Sequence, residues 1–229
     1  MALAAYEYQT SNGSQGVSIK ARIECAADNL LDSLPDPEYL SAEERRGIIA
    51  RYSAVLEGNF IYWMTAAYLS AKTEEARSII LDNLREEVGD CHPGMLRRFA
   101  IAAGAVPTDS DAQAVYAELT NVRLFVGQLS GVRTLVMMAF FEGFIQRYMA
   151  FLENLAERQG SAELEYTKVH GVCDVAHTEG LLRAVATEMS CEPLEPEDNL
   201  FEGVDLLDTL IRSIAHPVTD PVSSVRPSL

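Results

Sequence analysis

Two histidines and an aspartate, His170, Asp174 and His177, occupy the run His-Gly-Val-Cys-Asp-Val-Ala-His. At about 100° per residue, these three positions fall within an arc of ~60° on an α-helix. Two imidazoles and a carboxylate on one stripe suit iron, manganese or zinc. The chain has four histidines, and this run uses two of them. A third, His92, follows closely on the acidic pair Glu86-Glu87. A metal site is the chemistry that these residue types and spacings serve best.

Other acids lie on apolar helical faces. Glu142 shares its stripe with Leu135, Met138, Ile145 and Met149. A carboxylate buried there costs several kcal/mol unless a cation or a proton satisfies it. A metal does so; an ion pair with Arg133 or Arg147, or a raised pKa, is the alternative. Glu87 shares a face with Ile80 and Leu84, and Glu86 points about 100° away. Glu87 is therefore preferred as a ligand, with Glu86 at the surface. His92 follows Gly89, at a helix break that can aim it back at the site; alone it would read as a capping residue. Glu57 is flanked by Ala54, Phe60, Ile61 and Met64, and reads as a further ligand, a supporting partner or a surface acid. The candidate ligands are Glu57, Glu87, His92, Glu142, His170, Asp174 and His177. Four carboxylates neutralise two divalent cations, and three imidazoles fill remaining positions. That set fits two irons better than one zinc, which favours Cys in structural sites.

The elements that must carry these residues read as helices throughout. Apolar positions recur at helical spacing from Val17 to about Ser33, where Pro35 and Pro37 follow. Ser41-Ala-Glu-Glu44 is a capping box opening a long helix to about Ala71. Another helix runs from Thr73 to Val88, broken by Gly89, and Pro93 begins the next, which ends near Gly104. Asp109 caps a further helix that leads, across a break near Gly127 to Gly131, into Leu135–Arg158. The His-Asp-His helix spans about Ala162 to Met189, and a last helix ends near Ala215, stopped by Pro217. No stretch alternates with period two. The expectation is an all-α chain of seven or eight helices: a flexible N-terminus over 1–16, one helical catalytic domain over 17–217, and a flexible tail over 218–229.

The formal net charge of −16 argues against nucleic-acid and anionic-membrane partners. Neither a signal peptide nor a membrane-spanning stretch is expected. The cysteines, Cys25, Cys91, Cys173 and Cys191, form no Cys-x2-Cys pair, which fits free thiols in a reducing cytoplasm. Cys173 reads as packing.

Together these residues resemble the haem-oxygenase-like diiron oxidase and oxygenase superfamily, over roughly Tyr52 to Leu182. The matching order is a Glu-His element in an Asn-Leu-x-Glu-Glu-x-Gly context, a Glu about 50 residues later, and then the His-Asp-His helix. The resemblance implies a haem-oxygenase-like bundle in which Glu87, His92, Glu142, His170, Asp174 and His177 hold two Fe ions. It implies O2 as co-substrate, reduced to a bridging peroxide, an external electron donor and a homodimer. In N-oxygenating members an extra Glu lies on the first core helix, and Glu57 matches it. The short gap before His92 leaves the choice between Glu86 and Glu87 open. No ferritin-type Glu-x2-His motif is present.

The expected function is N-oxygenation of a small amine, aminated heterocycles included, to a hydroxylamine or nitro product in natural-product biosynthesis. Oxidative C–C cleavage of an amino acid or fatty acid is a second reading, with Arg133 or Arg147 receiving a carboxylate. A non-catalytic iron-binding protein is the third. An apolar wall of Trp63, Met138, Phe140, Phe141 and Phe144 would keep water from the metals.

Overall fold

The computed structural model describes residues 18–191 and 199–216, without the side chains of Cys173 and Asp174. The two expected flexible ends, and Pro217 expected to stop the last helix, lie outside the described residues. Ten helices and no strand occur among those described. They are α1 (Ile19–Asp32), α2 (Ala42–Leu56), α3 (Asn59–Ser70), α4 (Glu74–Gly89), α5 (His92–Ala102), α6 (Asp109–Ala114), α7 (Tyr116–Val126), α8 (Gly131–Arg158), α9 (Glu165–Cys191) and α10 (Glu202–Ala215).

Helix α8 is the core of this all-α bundle. Its apolar side chains point in every direction, and Leu135, Val136, Met137, Met138, Ala139, Phe140 and Phe144 are all fully buried. Such a helix must be covered on all sides. It packs along its length against α9 and is flanked by α1, α2, α3 and α10. By length and composition α8 could cross a membrane, but 72% of its apolar window is buried inside the bundle, as in a core helix. Each large side chain buried here contributes about 1.5–3 kcal/mol.

The higher helix count comes from breaks that local chemistry creates. The expected helix from Ser41 to Ala71 is two helices. Its start is as expected, with Ser41 and Glu44 capping reciprocally. It stops at Leu56, because Gly58 takes φ +83°, a left-handed conformation open to glycine. Thr108, rather than Asp109, caps α6, paired with Asp111 in a second capping box. Asp111 also receives both terminal nitrogens of Arg46, at 2.9 and 3.2 Å, which ties α6 to α2.

A buried acid outside the candidate ligands joins α9 to the start of α4. Glu188 is fully buried and accepts from the backbone N–H groups of Lys72 and Thr73 and from the Thr73 hydroxyl. Thr73 is also the N-cap of α4. The carboxylate thus anchors the helix carrying Glu86 and Glu87 to the helix carrying the histidines.

Candidate metal centre

Four helices converge on one buried cluster. The inward face of α4 carries Ala76, Ile80, Asn83 and Glu87, all buried at helical spacing. Gly89 does not break α4; it is its last residue. The break comes at Cys91, with φ +58°, a left-handed conformation that is costly for any residue with a Cβ. The chain turns there, and His92, first residue of α5, points inward and is buried. Helix α8 supplies Glu142, and α9 supplies His170 and His177, two turns apart on one stripe.

Ligand atoms of Glu87, His92 and His170 all lie within 4.8 Å of one another. His92 Nδ1 is 2.9 Å from Glu87 Oε1, and His170 Nε2 is 3.8 Å from the same oxygen. The His92 and His170 rings meet edge to face, with centroids 4.5 Å apart. Beside them, His177 Nδ1 stands 3.7 Å from Glu142 Oε2. Two atoms bound at ~2.1 Å to one ion at ordinary angles stand about 3–4 Å apart, so these separations suit shared metal coordination.

Polar satisfaction gives a second indication. Glu87 Oε1, His92 Nδ1 and Glu142 Oε1 are buried and have no aligned hydrogen-bond partner. Glu87 and His92 are close in distance but off the line that a hydrogen bond requires. Buried polar atoms without partners are costly, and a cation between them removes the cost. Among the described residues the donor set is imidazole nitrogens and carboxylate oxygens, which suits iron.

The protonation states follow from the surroundings. Burial pushes Glu142 above the ordinary carboxylate range; His177 opposes the shift, and Glu87 adds to it. His92 lies above its ordinary value because Glu87 outweighs the burial that disfavours its charge. His170 lies below its ordinary value, chiefly through burial, which favours the neutral ring that a metal needs. Its Nδ1 contacts the Tyr166 carbonyl at 2.9 Å. A carbonyl only accepts, so Nδ1 carries the hydrogen and Nε2 keeps its lone pair toward Glu87.

Glu57 is not brought to this cluster. It caps α2 at the Gly58 break, is 44% exposed, and pairs with Arg97 of α5. The expectation assumed an unbroken helix there, and the left-handed turn carries the side chain away. Asp174 lies on α9 between the two histidines, but its side chain is outside the described residues. The arginine alternatives for Glu142 are occupied elsewhere: Arg133 pairs with Glu202, and Arg147 with Asp28 at 2.6 Å.

A narrow cavity of about 30 Å³ adjoins Glu87, His92, Glu142 and His170. That is room for about two water molecules. Its apolar walls include Leu56, Phe60, Ile61, Leu96, Phe141 and Ile145, and among the described residues no Lys or Arg lines it. Of the wall expected from sequence, Phe141 lines the cavity, and Trp63 backs it edge-on at 5.5 Å. Met138, Phe140 and Phe144 are core residues that do not line it. Tyr52 and Tyr166 also line it, with their hydroxyls 2.7 Å apart. Neither tyrosine was anticipated, although Tyr166 lies one turn before His170 and shares its stripe.

A family model described as an iron-containing redox enzyme matches residues 50–207. That span contains every candidate ligand. No curated protein matches the chain.

Proposed function

The chain belongs to this family of iron-containing redox enzymes, haem-oxygenase-like in fold, and from that premise we propose that it is a non-haem diiron, O2-dependent N-oxygenase of a small amine. The observation that carries the reading is the buried, unsatisfied Glu87–His92–Glu142 group beside an apolar cavity that no Lys or Arg lines among the described residues. Glu87, His92 and His170 would hold one iron, and Glu142 and His177 the other, with Asp174 completing the set. Two irons bound there supply the activation of O2, with electrons from an external donor.

The protein's own residues do the rest. Phe60, Phe141 and Ile145 exclude water from the reacting centre. Tyr52 and Tyr166, whose hydroxyls are 2.7 Å apart, add polar side chains to the lining beside the candidate ligands. The cavity volume matches O2, and a larger substrate would need the lining to open further. A hydroxylamine or nitro product carries no net charge, which fits a lining without Lys or Arg among the described residues. With Glu57 turned away, N-oxygenation rests on this lining rather than on an extra carboxylate. C–C cleavage of amino or fatty acids calls for a cation to receive the substrate carboxylate. Arg133 and Arg147, the residues expected to serve, both lie outside the cavity lining.

The test is anaerobic loading with Fe2+, iron analysis, and single-turnover exposure to O2 with panels of arylamines, amino acids and fatty acids. We expect about two irons per chain and oxygenated nitrogen products from the amines alone. Turnover of a carboxylic acid with loss of CO2, and none of amines, would replace this reading with C–C cleavage.

A further inference from the structure

The two α9 histidines are backed differently, and the difference gives a role to Glu86, which lies outside the proposed ligand set. His170 turns its outer nitrogen to the Tyr166 carbonyl, a neutral acceptor within its own helix. His177 turns its outer nitrogen, Nε2, to Glu86 Oε2 at 2.9 Å. Glu86 and Glu87 are consecutive on α4, so their side chains diverge by about 100°. Glu87 is buried against His92, whereas Glu86 is 55% exposed and reaches His177 from the protein surface. A carboxylate accepts, so this contact puts the hydrogen on Nε2. That leaves Nδ1 to face Glu142, at 3.7 Å, longer than a hydrogen bond and suited to two ligands of one ion.

We propose that Glu86 is a positioning residue that fixes the tautomer and orientation of His177 and makes the Glu142–His177 position the more strongly donating of the two metal positions. The inference rests on the two-metal reading above. A carboxylate behind an imidazole increases electron donation to the bound ion more than a neutral carbonyl does. The two ions are then inequivalent, although each has imidazole and carboxylate ligands. Because Glu86 is in contact with solvent, its substitution leaves the core packing intact.

Two measurements test this on the full chain, with Glu86→Ala, Glu86→Gln and a control, Asp82→Asn. The control removes a similarly exposed acid one turn earlier, which pairs with Arg85 in the same helix. In the metal-free protein, nitrogen NMR of the histidine side chains reads the tautomer. His177 is expected as the Nε2–H form in the wild type and the control, and as a mixture in Glu86→Ala. Anaerobic Co2+ titration then reads stoichiometry, affinity and ligand-field bands. Two ions are expected in every variant, with one bound ~10–100-fold more weakly, and its bands shifted, in Glu86→Gln. A Glu86→Gln protein indistinguishable from the control overturns the proposal. Loss of one ion outright also overturns it, since Glu86 would then be a ligand. A wild-type count below two overturns the two-metal reading instead, and the metal-free tautomer measurement judges Glu86 independently.

Discussion

Glu142 has lost most of its water to Leu135, Met138 and the rest of the α8 face, and burial holds its carboxyl above the ordinary range. A group with a raised folded pKa contributes stability below its unfolded value, about 4.3, and loses it as pH rises through the folded value. The metal-free protein should therefore lose this contribution as pH rises, and a bound metal ion would take over from the proton. Anaerobic Fe2+ addition in weakly buffered solution should release protons, with a smaller release from Glu142→Gln. No release from the wild type would mean that Glu142 is already ionised or is not displaced by metal. At this scale, residue types and helical offsets were enough to pick out Glu87, His92, Glu142, His170 and His177 as neighbours. They did not show Tyr166, whose contribution to His170 is a backbone carbonyl and carries no side-chain signature.

Between elements, Glu188 acts in the opposite sense. Burial disfavours its charge, but the Thr73 hydroxyl and the Lys72 and Thr73 amides outweigh burial and hold its pKa below the ordinary value. Its contribution is present above about pH 4.3 and is lost as pH falls through the folded value. Glu188→Ala strands several donors at the start of α4 and should cost about 2–3 kcal/mol in urea unfolding at pH 7, with a smaller difference at acid pH. An unchanged midpoint at pH 7 would show that water replaces the carboxylate there. The capping box at Ser41 was legible because both partners lie within four residues. The joint at Gly58 was not, because apolar periodicity continues across it from Val55 to Met64 and a left-handed glycine leaves no trace in that pattern.

For the whole molecule, metal and fold are one equilibrium. Glu87 and Glu142 face each other's cluster on α4 and α8, and Glu87 raises Glu142. Their repulsion and the unsatisfied atoms of His92 weigh against the metal-free bundle. An ion present at ~1,000 times its Kd adds about 4 kcal/mol, which raises Tm by roughly 8–16 °C for a chain of this size. Thermal unfolding of Fe2+-loaded protein against chelator-treated protein measures this. Equal melting temperatures would place the metals, if bound, outside the elements that hold the bundle together. The all-α class was legible from the absence of period-two runs, and the family match over residues 50–207 agrees with it.

The sequence by itself determined that helices form and that imidazoles and carboxylates share their buried faces. Those properties depend on residue type and on 3.6-residue periodicity, which are local. Tertiary structure alone decided that Glu57 turns away to Arg97, that Glu86 reaches His177, and that Phe141 rather than Phe140 lines the cavity. Each depends on the angle at which one helix meets another. A single left-handed residue, Gly58 or Cys91, resets that angle without altering the hydrophobic pattern on either side.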